Sequence, residues 1–94
     1  AENIVFLELK RREKEVFYWK ETNEVDFILK NKDNSLTAIN VTYSDDIKER
    51  EKKGIIEFSN KFKDTLKECL ILTKNYESEQ DGIKYLPIWK WLLC

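Results

Sequence analysis

The stretch LTAINVTYSDD, residues 36–46, holds the change of period on which the fold turns. Residues 36–43 read as a strand, with Leu36, Ala38, Asn40 and Thr42 on one row. At Ser44 the strand pattern stops. Ser44, Asp45 and Asp46 offer N-caps, and their acidic charge suits a helix N-terminus. Beyond them Ile47, Ile55, Phe58, Phe62 and Leu66 recur near helical spacing, which predicts a helix to about residue 67. Gly54 interrupts it at a cost of about 1 kcal/mol against alanine. CLILT, residues 69–73, is then a continuous apolar run, predicted to be a central strand covered on both faces. A strand, a helical crossover and a buried strand make a parallel pair.

Working outward, residues 3–13 are predicted to be a helix that Asn3 can cap, with Ile4, Val5, Leu9 and Arg12 on one side. EVFYWK (15–20) and VDFILK (25–30) read as a hairpin around the turn ETNE. NKDNS (31–35) is a turn cluster leading into the third strand. After CLILT, NYESEQDG is predicted to be a loop with a turn at Asp81-Gly82. IKYLPI (83–88) is a last strand, with Pro87 marking its end or an edge. WKWLL closes the chain as a short helix. The predicted class is α/β, a mixed sheet flanked by helices in the order α-β-β-β-α-β-β-α.

Composition narrows the chemistry. The 94 residues suit one domain, and 37% of them are charged. Lysine and glutamate usage with so little Gly and Pro matches a thermophile's habit. The net charge is -1, so no overall basic field draws the chain to nucleic acid. There is no histidine and there are two cysteines. That excludes a Ser-His-Asp triad, a Cys-His dyad, a His-ligated zinc and a four-thiolate zinc site within this chain. Cys69 reads as a small buried hydrophobe, and the cysteine usage predicts a cytoplasmic setting. No apolar run approaches the length of a membrane span. The opening AENIVFLELKRR lacks an initiator Met, which predicts a piece of a longer protein.

Four residues draw attention as chemistry. In NEVDFIL (23–29), Val25, Phe27 and Leu29 alternate, and Asp26 stands on the other row beside Ile28. Aspartate is depleted from strands, so Asp26 is either exposed on a polar face or placed for a purpose. Glu8 lies three and four residues from Val5 and Ile4 and so points along the apolar stripe. It reads either as a rim carboxylate paired with a lysine or as a carboxylate delivered to a site at the sheet edge. Asn40 and Thr42 are polar neighbours on one row, and adjacent strands would set Asp26 beside Asn40. In that arrangement Asp26 would accept hydrogen bonds from Asn40 and Thr42.

Three weaker signals remain. KRREK (10–14) complements a helix C-terminus, or contacts phosphate if Lys61, Lys63 and Lys67 share its side. IKEREKKG reads as a solvated helix face. Trp89 and Trp91 face different sides of a short helix, so one is predicted to pack on the sheet. The other, if exposed, points to an interface.

Helix glutamate, hairpin aspartate, then x-(D/E)-x-K on the next strand is the layout of the PD-(D/E)XK nuclease superfamily, and this chain resembles it. ENIVFLELKRR, VFYWKETNEVDFIL, AINVTYSDD, KEREKKGI and YLPIWKWLL resemble one family along essentially the whole chain. It is the domain of unknown function found after the P-loop module of archaeal and bacterial AAA+-type ATPases. The resemblance implies a restriction-endonuclease-like core and a single accessory domain over residues 1–94, at the C-terminal end of a longer ATPase. It implies that ATP binds only through the P-loop domain, since this chain has no G-x-x-x-x-G-K-[ST]. It places Glu8 at the helix acid and Asp26 at the metal-binding aspartate. Asn40 stands where the second acid belongs, and Thr42 where the lysine belongs. A neutral amide is a poorer Mg²⁺ ligand, and threonine supplies no ammonium. Lys20 and Lys30 would substitute only if the sheet register brought them in.

The expected function is therefore a non-catalytic accessory or interaction domain, with Glu8, Asp26, Asn40 and Thr42 as remnants of a catalytic site. It would dock to its own N-terminal P-loop ATPase domain, to a second copy, or to nucleic acid without cutting it, and to no membrane. The alternatives are a Mg²⁺-dependent nuclease with the metal at Asp26 and Glu8, and a homodimerisation module.

Overall fold

The computed structural model describes residues 2–45 and 49–94. Helix α1 (Glu2–Arg11) leads into strands β1 (Glu15–Lys20), β2 (Glu24–Lys30) and β3 (Leu36–Val41). Helix α2 (Glu49–Lys61) is followed by β4 (Leu66–Thr73), β5 (Ser78–Gln80), β6 (Ile83–Pro87) and α3 (Ile88–Leu92). One six-stranded sheet runs in the order β1-β2-β3-β4-β6-β5. The first three strands are an antiparallel meander. β4 lies parallel to β3 because α2 carries the chain back across the sheet. β6 is parallel to β4, and β5 runs antiparallel along the outer edge of β6.

The α/β class with a mixed sheet flanked by helices is as the periodicity predicts, with one strand more. β5 lies inside the segment 74–82, where a loop is expected. It is three residues long and wholly polar, too short to show an alternation. α2 also stops earlier than predicted. The chain turns at Phe62–Thr65, with the Leu66 amide donating back to the Phe62 carbonyl at 2.9 Å. Leu66 belongs to β4, paired with Leu36. Of the predicted helix start, Asp46 and Ile47 lie outside the described residues. Asp45 does other work: its Oδ1 accepts the amides of Asn75 and Tyr76 at 2.6 and 2.7 Å, tying this loop to the end of β4.

Two apolar layers sandwich the sheet. Under α1 and α3, Val5, Leu9, Ile88 and Trp91 pack on Phe27, Leu29, Ile39, Val41, Leu70 and Leu72. Under α2, Ile55 and Phe58 pack on Val25, Ile28, Ala38, Ile71, Ile83 and Tyr85. β4 feeds both layers, Leu70 and Leu72 on one side and Ile71 on the other, so its unbroken apolar run marks a central strand. Ile4, expected on the buried side of α1, is instead exposed; Val5 and Leu9 alone in that helix are buried. Trp91 packs on the sheet and Trp89 faces outward. Among the described residues no helix is long and apolar enough to cross a membrane.

β2 departs from regular pairing at one point. Phe17 pairs with Ile28 and Trp19 with Val25, so Asp26 and Phe27 together oppose Tyr18 alone. This is a β-bulge, which bends the strand and resets its alternation. Val25 therefore joins Ile28 on the α2 side, not Phe27 and Leu29 as strict alternation predicts.

Candidate functional site

The bulge parts β2 from β3. Ladder pairing between them covers Phe27–Lys30 opposite Leu36–Ile39 and goes no further. Beyond it, side chains take over from the backbone. The Asp26 amide donates to Asn40 Oδ1 at 2.6 Å. The Val41 amide donates to Asp26 Oδ2 at 3.0 Å. Asn40 Nδ2 donates to the Glu24 carbonyl at 3.2 Å and to the Glu51 carbonyl at 3.0 Å. One amide side chain thus joins β2, β3 and α2 where the sheet opens. Asn40 is buried, and a buried polar group left unpaired there would be costly.

Gly54 allows this closure. A Cβ at residue 54 would overlap the Glu24 carbonyl oxygen and crowd Asn40 Nδ2. The helix-breaking residue in α2 is the price of seating that helix on the splayed strand.

The sequence expectation of Asp26 beside Asn40 holds, with the bonding reversed. Asp26 does not accept from the Asn40 and Thr42 side chains. It donates its own amide to Asn40 and accepts from the Val41 backbone. Thr42 is buried, and its amide donates to the Leu72 carbonyl at 2.8 Å.

An open groove of about 700 Å³ lies at this end of the sheet, walled by Glu2, Phe6, Phe27, Thr42, Tyr43, Arg50 and Glu51 among others. A smaller recess of about 30 Å³ adjoins it, with Asp26, Glu24 and Asn40 in its wall alongside Glu2, Arg50 and Glu51. Burial pushes the Asp26 carboxyl up to about 6; the Val41 amide opposes this, and Glu2 and Glu24 add to it. Glu51 is 6% exposed. Its Oε1 meets Arg50 Nη2 at 3.3 Å, and its Oε2 has no partner among the described residues.

Glu8 stands elsewhere. Both its oxygens are taken by Arg11 and Arg12, and those bonds pull its carboxyl down to about 2. It borders neither the groove nor the recess. Glu2, six residues earlier and about 9 Å along the helix axis, is the α1 acid beside Asp26. The predicted Glu8–Asp26 pair is thus not brought together. Among the described residues no three of His, Cys, Asp and Glu are placed to hold a metal ion.

None of the predicted cations lines the recess at Asp26. Lys20 pairs with Glu24 in the β1–β2 ladder, and Lys30 with Glu15 at the opposite end. Lys14, Lys30 and Lys32 wall a separate groove of about 440 Å³ at that far end. Lys61 is bound to Glu21 at 2.6 Å. Arg12 reaches across to α3, donating to the carbonyls of Trp91 and Cys94 at 3.2 and 3.1 Å and lying 4.7 Å from the Trp91 ring centroid.

Glu51, Arg50 and Glu2 are the groove residues that sequence reasoning misses. Glu51 sits in a charge run that reads as solvated. Its spacing carries the missing signal: it precedes Ile55 by four residues and Phe58 by seven, on the buried face of α2.

A mixed sheet between two helical layers, with polar side chains replacing the ladder at a bulge, defines an α/β domain with a polar groove at the carboxyl end of β3. Residues 1–91 match the family described as "Domain of unknown function (DUF4143)", and the chain belongs to that family. No curated protein and no solved structure matches it.

Proposed function

We propose that this is a non-catalytic accessory domain of an AAA+-type P-loop ATPase, built on a restriction-endonuclease-like core whose site has been turned into a structural junction. The helix, antiparallel meander, crossover helix and parallel strand of a mixed α/β sheet support this reading. The observation that carries the reading is Asn40. It occupies the position of the second acid, and its amide is committed on both sides to backbone groups of β2 and α2. Its Oδ1 is already engaged by the Asp26 amide, and a neutral amide is a poorer ligand for a hard cation than the carboxylate it would replace. Thr42 supplies no cation, and Glu8 is held by two arginines away from Asp26. Exposed Trp89, Phe6, Leu7 and Tyr43 supply contact surface for a partner module.

The test is calorimetric titration with Mg²⁺ and Mn²⁺, alongside plasmid nicking with Asp26→Ala as control. The expected outcome is no saturable heat and no nicking above the control. Metal binding with nicking that disappears in Asp26→Ala would establish the nuclease instead.

A further inference from the structure

We infer that strand β1 pairs antiparallel with β1 of a second copy of this chain, about a two-fold axis at Tyr18. The inference holds for a docking domain and for a nuclease alike, so it stands apart from the accessory reading. β1 is one edge of the sheet and pairs only with β2 among the described residues. An edge strand presents a row of unpaired amides and carbonyls, and folds guard such edges against pairing. β5, the other edge, is guarded: it is three residues long and wholly polar. β1 has no such guard. It is six residues long, contains no proline, and carries charge only at its ends, Glu15 and Lys20. The bulge beside it lies in β2 and leaves β1 regular. Phe17 and Tyr18, in the middle of the strand, are 49% and 60% exposed.

The side chains of β1 complement themselves. Val16 packs with the α1 layer and Trp19 with the α2 layer, so Tyr18 lies on the α1 face and Phe17 on the α2 face. A two-fold axis at Tyr18 sets Phe17 opposite the partner's Trp19 and Val16 opposite the partner's Lys20, whose stem covers it. Within the chain, Phe62, Phe58 and Trp19 form a row of ring contacts that runs out to this edge, with centroids 4.6 and 5.2 Å apart. The partner's Phe17 continues that row, and symmetry repeats the contact. Charge completes the ends. The Lys61 ammonium holds both Glu21 oxygens at 2.6 Å and keeps a third donor. Glu15 takes part in none of the ion pairs among the described residues. This register sets it opposite the partner's Glu21, towards the free donor of the partner's Lys61. Moving the axis to Phe17 would oppose Lys14 to the partner's Lys20, and moving it to Trp19 would oppose Phe17 to the partner's Glu21. Like charges and mismatched pairs directly opposite each other disfavour both shifts.

The experiment joins sedimentation velocity of the 94-residue chain to site-directed cross-linking. From about 5 to about 500 μM, the range of small interfaces, the chain should pass from monomer to dimer. Phe17→Lys removes two aromatic cross-strand pairs and should weaken the dimer about tenfold or more. Its urea midpoint should stay close to the parent's, since Phe17 is half exposed. Glu79→Lys, on the guarded edge, should change nothing. The register is read in a Cys94→Ser background. Tyr18→Cys faces its own copy at a Cα separation of about 4.5–5.5 Å, within the span of a disulfide, and should cross-link under mild oxidation. Thr22→Cys, whose two copies lie at opposite ends of the paired strands, should not. A monomer at every concentration would overturn the inference and leave the edge to an extended segment of a different protein. A dimer indifferent to Phe17→Lys, or one lost in Glu79→Lys, would overturn it and place the contact elsewhere. Cross-linking equal at the two positions, or absent from both, would overturn the paired register. Plasmid nicking by a dimer that meets these tests would sink the accessory reading alone; a monomer without nicking would sink this inference alone.

Discussion

Two carboxylates that look alike in the sequence, Glu8 and Asp26, sit in opposite surroundings. Glu8 accepts from two guanidinium groups, and its carboxyl is held near 2. Asp26 is partly buried beside other acids, and its carboxyl is pushed to about 6. Six residues of helix separate Glu8 from Glu2, the acid that does reach Asp26. The contrast shows that spacing along a helix selects a face, whereas the position along its axis decides which site a side chain joins.

The strongest way to break this contrast is Asn40→Ala. It strands the Asp26 amide and the Glu24 and Glu51 carbonyls, and should cost about 3 kcal/mol of stability in urea unfolding. It should also let water in and bring the Asp26 carboxyl back towards its ordinary range by NMR titration. Gly54→Ala comes next. Its helix-propensity gain is outweighed by the clash with Glu24, for a net loss of about 2 kcal/mol.

Asp26→Asn sharpens the comparison through pH. The folded carboxyl titrates above its unfolded value of about 4, so its contribution is full below pH 4 and is lost as pH rises through about 6. The variant keeps an acceptor for the Val41 amide and loses the titration. It should therefore gain on the parent across that window, by about 1–2 kcal/mol at pH 8 once solvent screening is allowed for. Glu8→Gln should show the opposite window. Its carboxyl titrates below the unfolded value of about 4.3, so the parent is the more stable at neutral pH and the gap closes as pH falls through about 2. The smallest effect is expected from Arg12→Lys, which loses the stacking on Trp91 and one fork of its bonds to α3. About 1 kcal/mol in thermal unfolding is the scale.

Much of the fold is legible in the sequence because strand and helix periods differ and the switch at residues 43–49 is abrupt. CLILT declares a central strand by its lack of polar positions, and Trp89 and Trp91 divide between solvent and sheet as their spacing requires. The bulge is not legible. It inserts one residue without any glycine or proline to announce it, and the alternation Val25-Phe27-Leu29 remains regular on paper. β5 is invisible for another reason: its pairing comes from the neighbouring strand β6, not from any preference of Ser78–Gln80. At the site, the adjacency of Asp26 and Asn40 follows from strand order alone. The direction of their hydrogen bond depends on how far the strands part, and that is a tertiary property. Glu51 is the instructive omission, since its helical spacing from Ile55 and Phe58 is plain once charge is set aside.

Arg12 has a mechanical consequence. Its bonds to the Trp91 and Cys94 carbonyls span 79 and 82 residues, joining the first helix to the last. Tension applied at the two ends of the chain would load α1 and α3, and this side-chain clasp between them, before any strand.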